Sequence, residues 1–160
     1  MRSSLGLFET IVRKTIALDE PGVEASAPLH AFDERNIHPE IGRVSQKLFD
    51  NGHYAQATFE AFKYLEKMVS KVSGLKKESG QKLMMAAFDE NNPKISLTAL
   101  VTVSDKDEQA GFRFMFAGAA SGIRNPRGHD VNLPDTIDLC LDHLSVASVL
   151  MRRLEARVTR

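Results

Sequence analysis

Apolar residues recur at helical spacing along most of this chain, and the breaks between the runs fall at glycine, proline and asparagine. From Ser4 to Asp19, Leu7, Ile11, Lys14 and Leu18 share that spacing, with Phe8, Val12 and Thr15 beside them, which predicts an amphipathic helix. Pro21, Gly22 and Pro28 then make 20–36 a linker or an irregular wrap, and the one candidate domain boundary. His38 to Asp50 carries Ile41, Val44, Leu48 and Phe49, and Asn51-Gly52 supplies its stop. His53 to Val72 places Phe62, Leu65, Met68, Val69 and Val72 on one face and Glu60, Lys63, Lys67 and Lys71 on the other, ending at Ser73-Gly74. A short helix, Gly80 to Phe88, should give way to the Asn91-Asn92-Pro93 turn and an extended stretch, Ile95 to Val103, either a β-hairpin or coil.

Ser104, followed by Asp107 and Glu108, reads as the start of a helix running to about Asn125. Pro126 and Gly128 should end or kink it. Pro134 fits the first turn of a last helix, whose stripe of Ile137, Leu141, Leu144, Val149 and Leu154 reaches about Arg157. These elements predict an all-α fold, with an extension over 1–36 and a helical domain over 37–160.

A chain of 160 residues can bury a core of its own. Its single cysteine, Cys140, excludes an internal disulfide and leaves a cysteine zinc cluster short of ligands, as expected in a reducing cytoplasm. The first residues have charges spaced through them and do not read as a signal peptide, and no apolar run is long enough to cross a membrane. Basic and acidic residues balance at 21 each, which argues against long duplex nucleic acid as a partner; any RNA contact must be local.

Arg124-Asn125-Pro126-Arg127-Gly128-His129 is where groups of catalytic type converge. On an ideal helix Asn125 and His129 would share a face, while Arg124 and His129 would stand about 140° apart, unless a bulge at Pro126 swings them together. Histidine can move a proton near neutral pH, and arginine offers a planar fork of donors to phosphate. The pair suits RNA cleavage by the ribose 2′-hydroxyl, without metal. The alternative is an arginine capping its own helix and a histidine exposed in a loop. Gly118, Ser121 and Gly122, on the side of Asn125, would let a helix of a second subunit approach.

This motif resembles the signature of the HEPN superfamily. The stretches HPEI, LFDNGHYAQATFEAFKYLE, SGLKKESGQKLMMAAF and DEQAGFRFMFAGAASGIRNPRGH, over about residues 37 to 155, resemble its Ymh family. The resemblance implies a bundle on a four-helix core, a homodimer that unites two motifs, and metal-independent cleavage of single-stranded RNA in a prokaryotic toxin or antiviral defence system. An antitoxin or regulatory protein is then an expected partner. It also implies Arg124 and His129 as the catalytic pair, Asn125 as the residue that orients them, and an acid from an earlier helix, for which Glu60 is the candidate. Glu60 could equally be a surface carboxylate bound to Lys63 or Tyr64. Many superfamily members are non-catalytic scaffolds, so a partner- or nucleotide-binding module is the competing function.

Arg127, Lys63 and Lys67 are candidate RNA contacts, although Glu60, Glu66 and Glu155 interrupt the basic faces as they would on solvated helices. His38 and His53 read as structural and Cys140 as core. No histidines are spaced as metal ligands, and neither metal nor cofactor is expected. The cluster of Phe112, Phe114, Met115 and Phe116 reads as packing.

Overall fold

Four helix starts in this protein, at His30, His38, Thr102 and Thr136, are set by side chains that accept a backbone N–H. The computed structural model describes residues 28–129 and 133–158, and among them every regular element is helical. The elements are α1 (Ala31–Glu34), α2 (Pro39–Asp50), α3 (Tyr54–Ser73), α4 (Gly80–Ala87), α5 (Val103–Gly118), a π-helical turn (Ala119–Arg124), α6 (Asn125–His129) and α7 (Ile137–Glu155). The expected helix over Ser4–Asp19 lies outside the described residues. No helix among them is long and apolar enough to cross a membrane.

Two histidines cap α1 and α2. His30 Nδ1 accepts the Phe32 N–H at 3.1 Å, and His38 Nδ1 accepts that of Glu40 at 3.2 Å, with Pro39 in the first helical position, where no N–H is needed. The end of the predicted linker is therefore a short helix, because Phe32 buries its ring in the core. His38 also ties α2 to α7: its N–H donates to Ser148 Oγ at 2.9 Å, and its Nε2 meets Glu155 Oε2 at 2.9 Å.

α3 is the centre of the bundle and packs against α2, α4, the π turn, α6 and α7. Ala57, Ala61, Phe62, Leu65 and Val69 form its buried side, and Gly74, left-handed at φ 75°, stops it. On α7 the buried stripe is Cys140, Leu141, Leu144, Ala147, Leu150, Met151 and Leu154. Ile137 and Val149, expected on that stripe, are 50% and 49% exposed. The helix also begins later than Pro134 suggested: Thr136 caps it by accepting the Leu139 N–H at 3.2 Å.

The stretch from Ile95 to Val103 contains no strand. Gln109, fully buried, replaces a partner strand: its Nε2 donates to the carbonyls of Phe88 and Ile95, each at 3.0 Å, and its Oε1 accepts the Leu97 N–H at 2.8 Å. Coil can then bury Ile95 and Leu97 without a ladder. α5 starts from Thr102 rather than Ser104. Thr102 accepts the Asp105 N–H at 3.1 Å, and Asp105 accepts those of Thr102 and Val101, each at 3.0 Å. These backbone donors, Thr102 first, hold the Asp105 carboxyl below its ordinary range. Of the aromatic cluster on α5, Phe116 is buried and stacks on Phe88 at 4.3 Å, whereas Phe114 and Met115 are 62% and 47% exposed, so the packing expectation fails for those two.

Candidate functional site

Pro126 shapes the site. Its ring would clash with the carbonyl of Gly122, four residues back, and it has no N–H to offer. The chain widens the turn before it: the Asn125 N–H reaches five residues back, to the Ala120 carbonyl, and Ala119–Arg124 is π-helical. Where the sequence suggested an end or a kink at Pro126, the helix instead resumes after the widened turn and runs to His129. Arg127 supports the junction by donating from Nη1 to the Ile123 carbonyl at 2.8 Å.

Arg124, the last residue of the π turn, meets three groups. Its Nη1 donates to Asn125 Oδ1 at 3.0 Å, its guanidinium carbon lies 5.3 Å from the centre of the Phe59 ring, and its Nε stands 3.7 Å from Glu66 Oε2. Glu66 Oε1 accepts the Gly80 N–H at the start of α4, at 3.0 Å. The facing atoms, Arg124 Nε and Glu66 Oε2, are both buried, and neither has a hydrogen-bond partner among the described residues. The pair attracts across a gap slightly too long for a hydrogen bond.

Phe59, Lys63, Glu66 and Ser70 follow one another at i, i+4, i+7 and i+11 along the face of α3 that turns to this end of the bundle. Here a cleft of about 450 Å³ opens, lined by the cations Lys63, Lys67 and Arg124 and by the carboxylates Glu60, Glu66 and Glu78. Val44 and Leu83 supply apolar wall. The Tyr64 hydroxyl, also lining the cleft, donates to Glu40 Oε2 at 2.6 Å, while Arg43 lies over its ring at 5.1 Å. That hydroxyl and then Arg43 hold the Glu40 carboxyl below its usual range, and Glu40 raises the phenol in return.

The cleft thus unites Arg124, Glu60, Lys63 and Lys67, with Asn125 bonded to Arg124. Lys63 donates to Glu60 at 3.0 and 3.2 Å, so Glu60 has the surface pairing that competed with its acidic role; the carboxylate beside Arg124 is Glu66. Arg127, expected as an RNA contact, is instead bonded to Asp135 and is not among the residues lining the cleft. Its side chain is 5% exposed, and its Nε and Nη2 each donate at 2.7 Å to the carboxylate of Asp135, whose side chain is 1% exposed. His129 ends α6 exposed to solvent and is not among the residues lining the cleft.

Next to it, Gly128 lies against Phe59, where an added Cβ would come within 2.9 Å of ring atom Cε2. Nearby, burial and then Arg127 push the His143 imidazole below its ordinary value. Among the described residues, Cβ atoms at Gly118 and Gly122 would meet nothing within 4 Å. Among the described residues no group of three His, Cys, Asp or Glu side chains is placed to hold a metal ion.

Phe59 is not singled out by the sequence, and Glu66 is read there only as an acid that interrupts a basic face. Their spacing with Lys63 was a readable signal, but only the packing of α3 on the π turn shows what that face meets. Together, fold and cleft define an all-helical protein with an arginine-centred cleft of mixed charge. It belongs to the family described as "Protein of unknown function (Hypoth_ymh)", whose model matches residues 35–154. No curated protein and no solved structure matches the chain.

Proposed function

We propose that this protein is a metal-independent endoribonuclease of the HEPN type that cleaves single-stranded RNA. The observation that carries the reading is the setting of Arg124: the arginine of the RNPRGH segment reaches a cleft that also holds Lys63 and Lys67, and Asn125 fixes one of its nitrogens. A guanidinium so held offers its remaining N–H groups to the oxygens of a phosphodiester.

In this reaction the 2′-oxygen forms a bond to phosphorus while the bond from phosphorus to the 5′-oxygen breaks. The products are a 2′,3′-cyclic phosphate and a 5′-hydroxyl. His129 serves the proton that leaves the 2′-hydroxyl or the one that reaches the 5′-oxygen, and Arg124 stabilises charge gathering on the phosphoryl oxygens. The nucleophile belongs to the substrate, so the step requires no metal-bound water.

His129 stands apart from the cleft lining of its own chain, which supports a homodimer in which two motifs complete one site. The side of α5 on which Phe114 and Met115 are exposed, and on which Gly118 and Gly122 meet no other side chain among the described residues, is the surface such a dimer would use. The likeness to HEPN proteins extends the proposal to a bundle with their four-helix core, and to a toxin or antiviral defence role under an antitoxin or regulatory partner. One observation favours a second reading, a non-catalytic module that binds a partner or a nucleotide: Lys63 is already paired with Glu60.

The test incubates purified wild-type and His129→Ala protein with mixed single-stranded RNA in EDTA and examines the product ends. Cleavage by wild type alone, leaving 2′,3′-cyclic phosphate, is the expected result. No cleavage by a confirmed dimer would overturn the ribonuclease reading in favour of the binding module.

A further inference from the structure

We infer that Phe59 is a positioning residue for both ends of the RNPRGH segment, its ring holding the Arg124 guanidinium and the Gly128–His129 end of α6 in one fixed relation. The inference rests on the reading of Arg124 and His129 as the pair that acts on RNA. Two independent contacts converge on this half-buried ring. Arg124 lies 5.3 Å from its centre, and Lys63 Nζ lies 5.6 Å from it as well, so the ring carries cationic groups as aromatic faces do. On the other side of the segment, a Cβ at Gly128 would stand 2.9 Å from Cε2 and 3.7 Å from Cδ2 and Cζ.

The glycine itself points to this contact. Among the described residues the glycines with positive φ are Gly52, Gly74 and Gly80; Gly128 has ordinary helical backbone that any residue could adopt. Glycine weakens a helix, so its presence within α6 calls for another reason. The approach of Phe59 supplies one. A side chain at 128 would press on the Phe59 ring, so that either the ring or the end of α6 must move and the relation between them is lost.

A positioning ring matters because Arg124 and His129 sit on differently wound backbone, one closing the π turn and the other ending α6. Nothing in the helical repeat alone sets them against a common phosphate. Asn125 and Glu66 hold the Nη1 and Nε sides of the guanidinium, and the Phe59 ring fixes its plane while setting the height of the histidine. A rigid ring suits this task, because it has few torsions to lose.

A double-mutant cycle in the full chain tests the inference, using Gly128→Ala, Phe59→Leu and their combination. Its readouts are kcat and KM for RNA cleavage and the His129 ring resonances in ¹H–¹³C NMR, with far-UV circular dichroism to follow folding. Gly128→Ala should lower kcat by about a hundredfold through misplacement, with KM little changed, and should move the His129 resonances. Phe59→Leu removes the clashing ring atom, so adding Gly128→Ala to it should change nothing further. Phe59→Tyr, which keeps the ring, should recover the activity lost in Phe59→Leu. Additive losses, or a Phe59→Leu protein with wild-type kcat and His129 resonances, would overturn the inference.

If wild-type protein cleaves no RNA, the ribonuclease reading fails and the NMR arm still decides this one. A His129 shift on Gly128→Ala that vanishes in the Phe59→Leu background supports the positioning contact; a shift of equal size in both backgrounds, or none, refutes it. Should Gly128→Ala fail to fold, Phe59→Leu and Phe59→Tyr are compared by the same resonances: a shift confined to the leucine variant supports the contact, and none in either overturns it.

Discussion

Replacing Asp135 by alanine would leave a buried cation without its counterion. The side chains of Arg127 and Asp135 are 5% and 1% exposed and share two bonds of 2.7 Å, so water cannot readily take over when one partner goes. Breaking a buried pair from one side costs about 3–5 kcal/mol, against about 0–1 kcal/mol for an exposed pair. At roughly 2–4 °C per kcal/mol for a chain of this length, Asp135→Ala should lower the melting temperature by roughly 10 °C. Urea unfolding followed by circular dichroism measures the same quantity. The loss should change little between low and high salt, because a buried pair is poorly screened. Replacing both partners by apolar residues, Arg127→Met with Asp135→Leu, should recover most of it. A loss below about 1 kcal/mol that shrinks with salt would refute the reasoning and return Arg127 to the surface as a candidate RNA contact.

Three further outcomes follow from the burial pattern. Gln109→Leu should destabilise the protein by about 2–4 kcal/mol in urea, since it strands two carbonyls and an N–H in the core, whereas Ser104→Ala should have no measurable effect. His143 is held below its ordinary value by burial, so the unfolded chain binds its proton more readily; the stability this contributes is complete above about pH 6.5 and is lost as pH falls from there through the depressed value. His143→Phe should flatten that slope in urea titrations below about pH 7, and an unchanged slope would count against the assignment. Burial also pushes the Cys140 thiol up, so an aromatic disulfide reagent should label it only as fast as the protein opens, with labelling accelerated by urea.

Features that a few adjacent residues decide were legible in the sequence. His38-Pro39 marks the start of α2, and Gly52 and Gly74 adopt the left-handed conformation at the two stops expected of them. Where two local signals compete, the reading slips: Pro134 and Thr136 both suit a helix start, and the hydroxyl that accepts an N–H prevails. Pro126 was a visible obstacle, yet its clash falls on the turn before it, so the helix widens there and continues. Long-range pairings were out of reach. Gln109 looks like any surface glutamine until its three partners, 12 to 21 residues away, fold around it. Glu66 and Phe59 gain meaning only when α3 lies against the π turn, and Arg127 reads as a surface cation until Asp135 closes on it eight residues later.

The central claim, that Arg124 and His129 act on an RNA chain whose own 2′-hydroxyl is the nucleophile, is tested most directly by a single substitution in the substrate. The cleavage site is first mapped on a single-stranded RNA oligonucleotide, and the nucleotide on its 5′ side is then replaced by its 2′-deoxy form. Scission should stop at that position and continue at sites elsewhere in the oligonucleotide. Continued cleavage at the deoxy position would contradict the account.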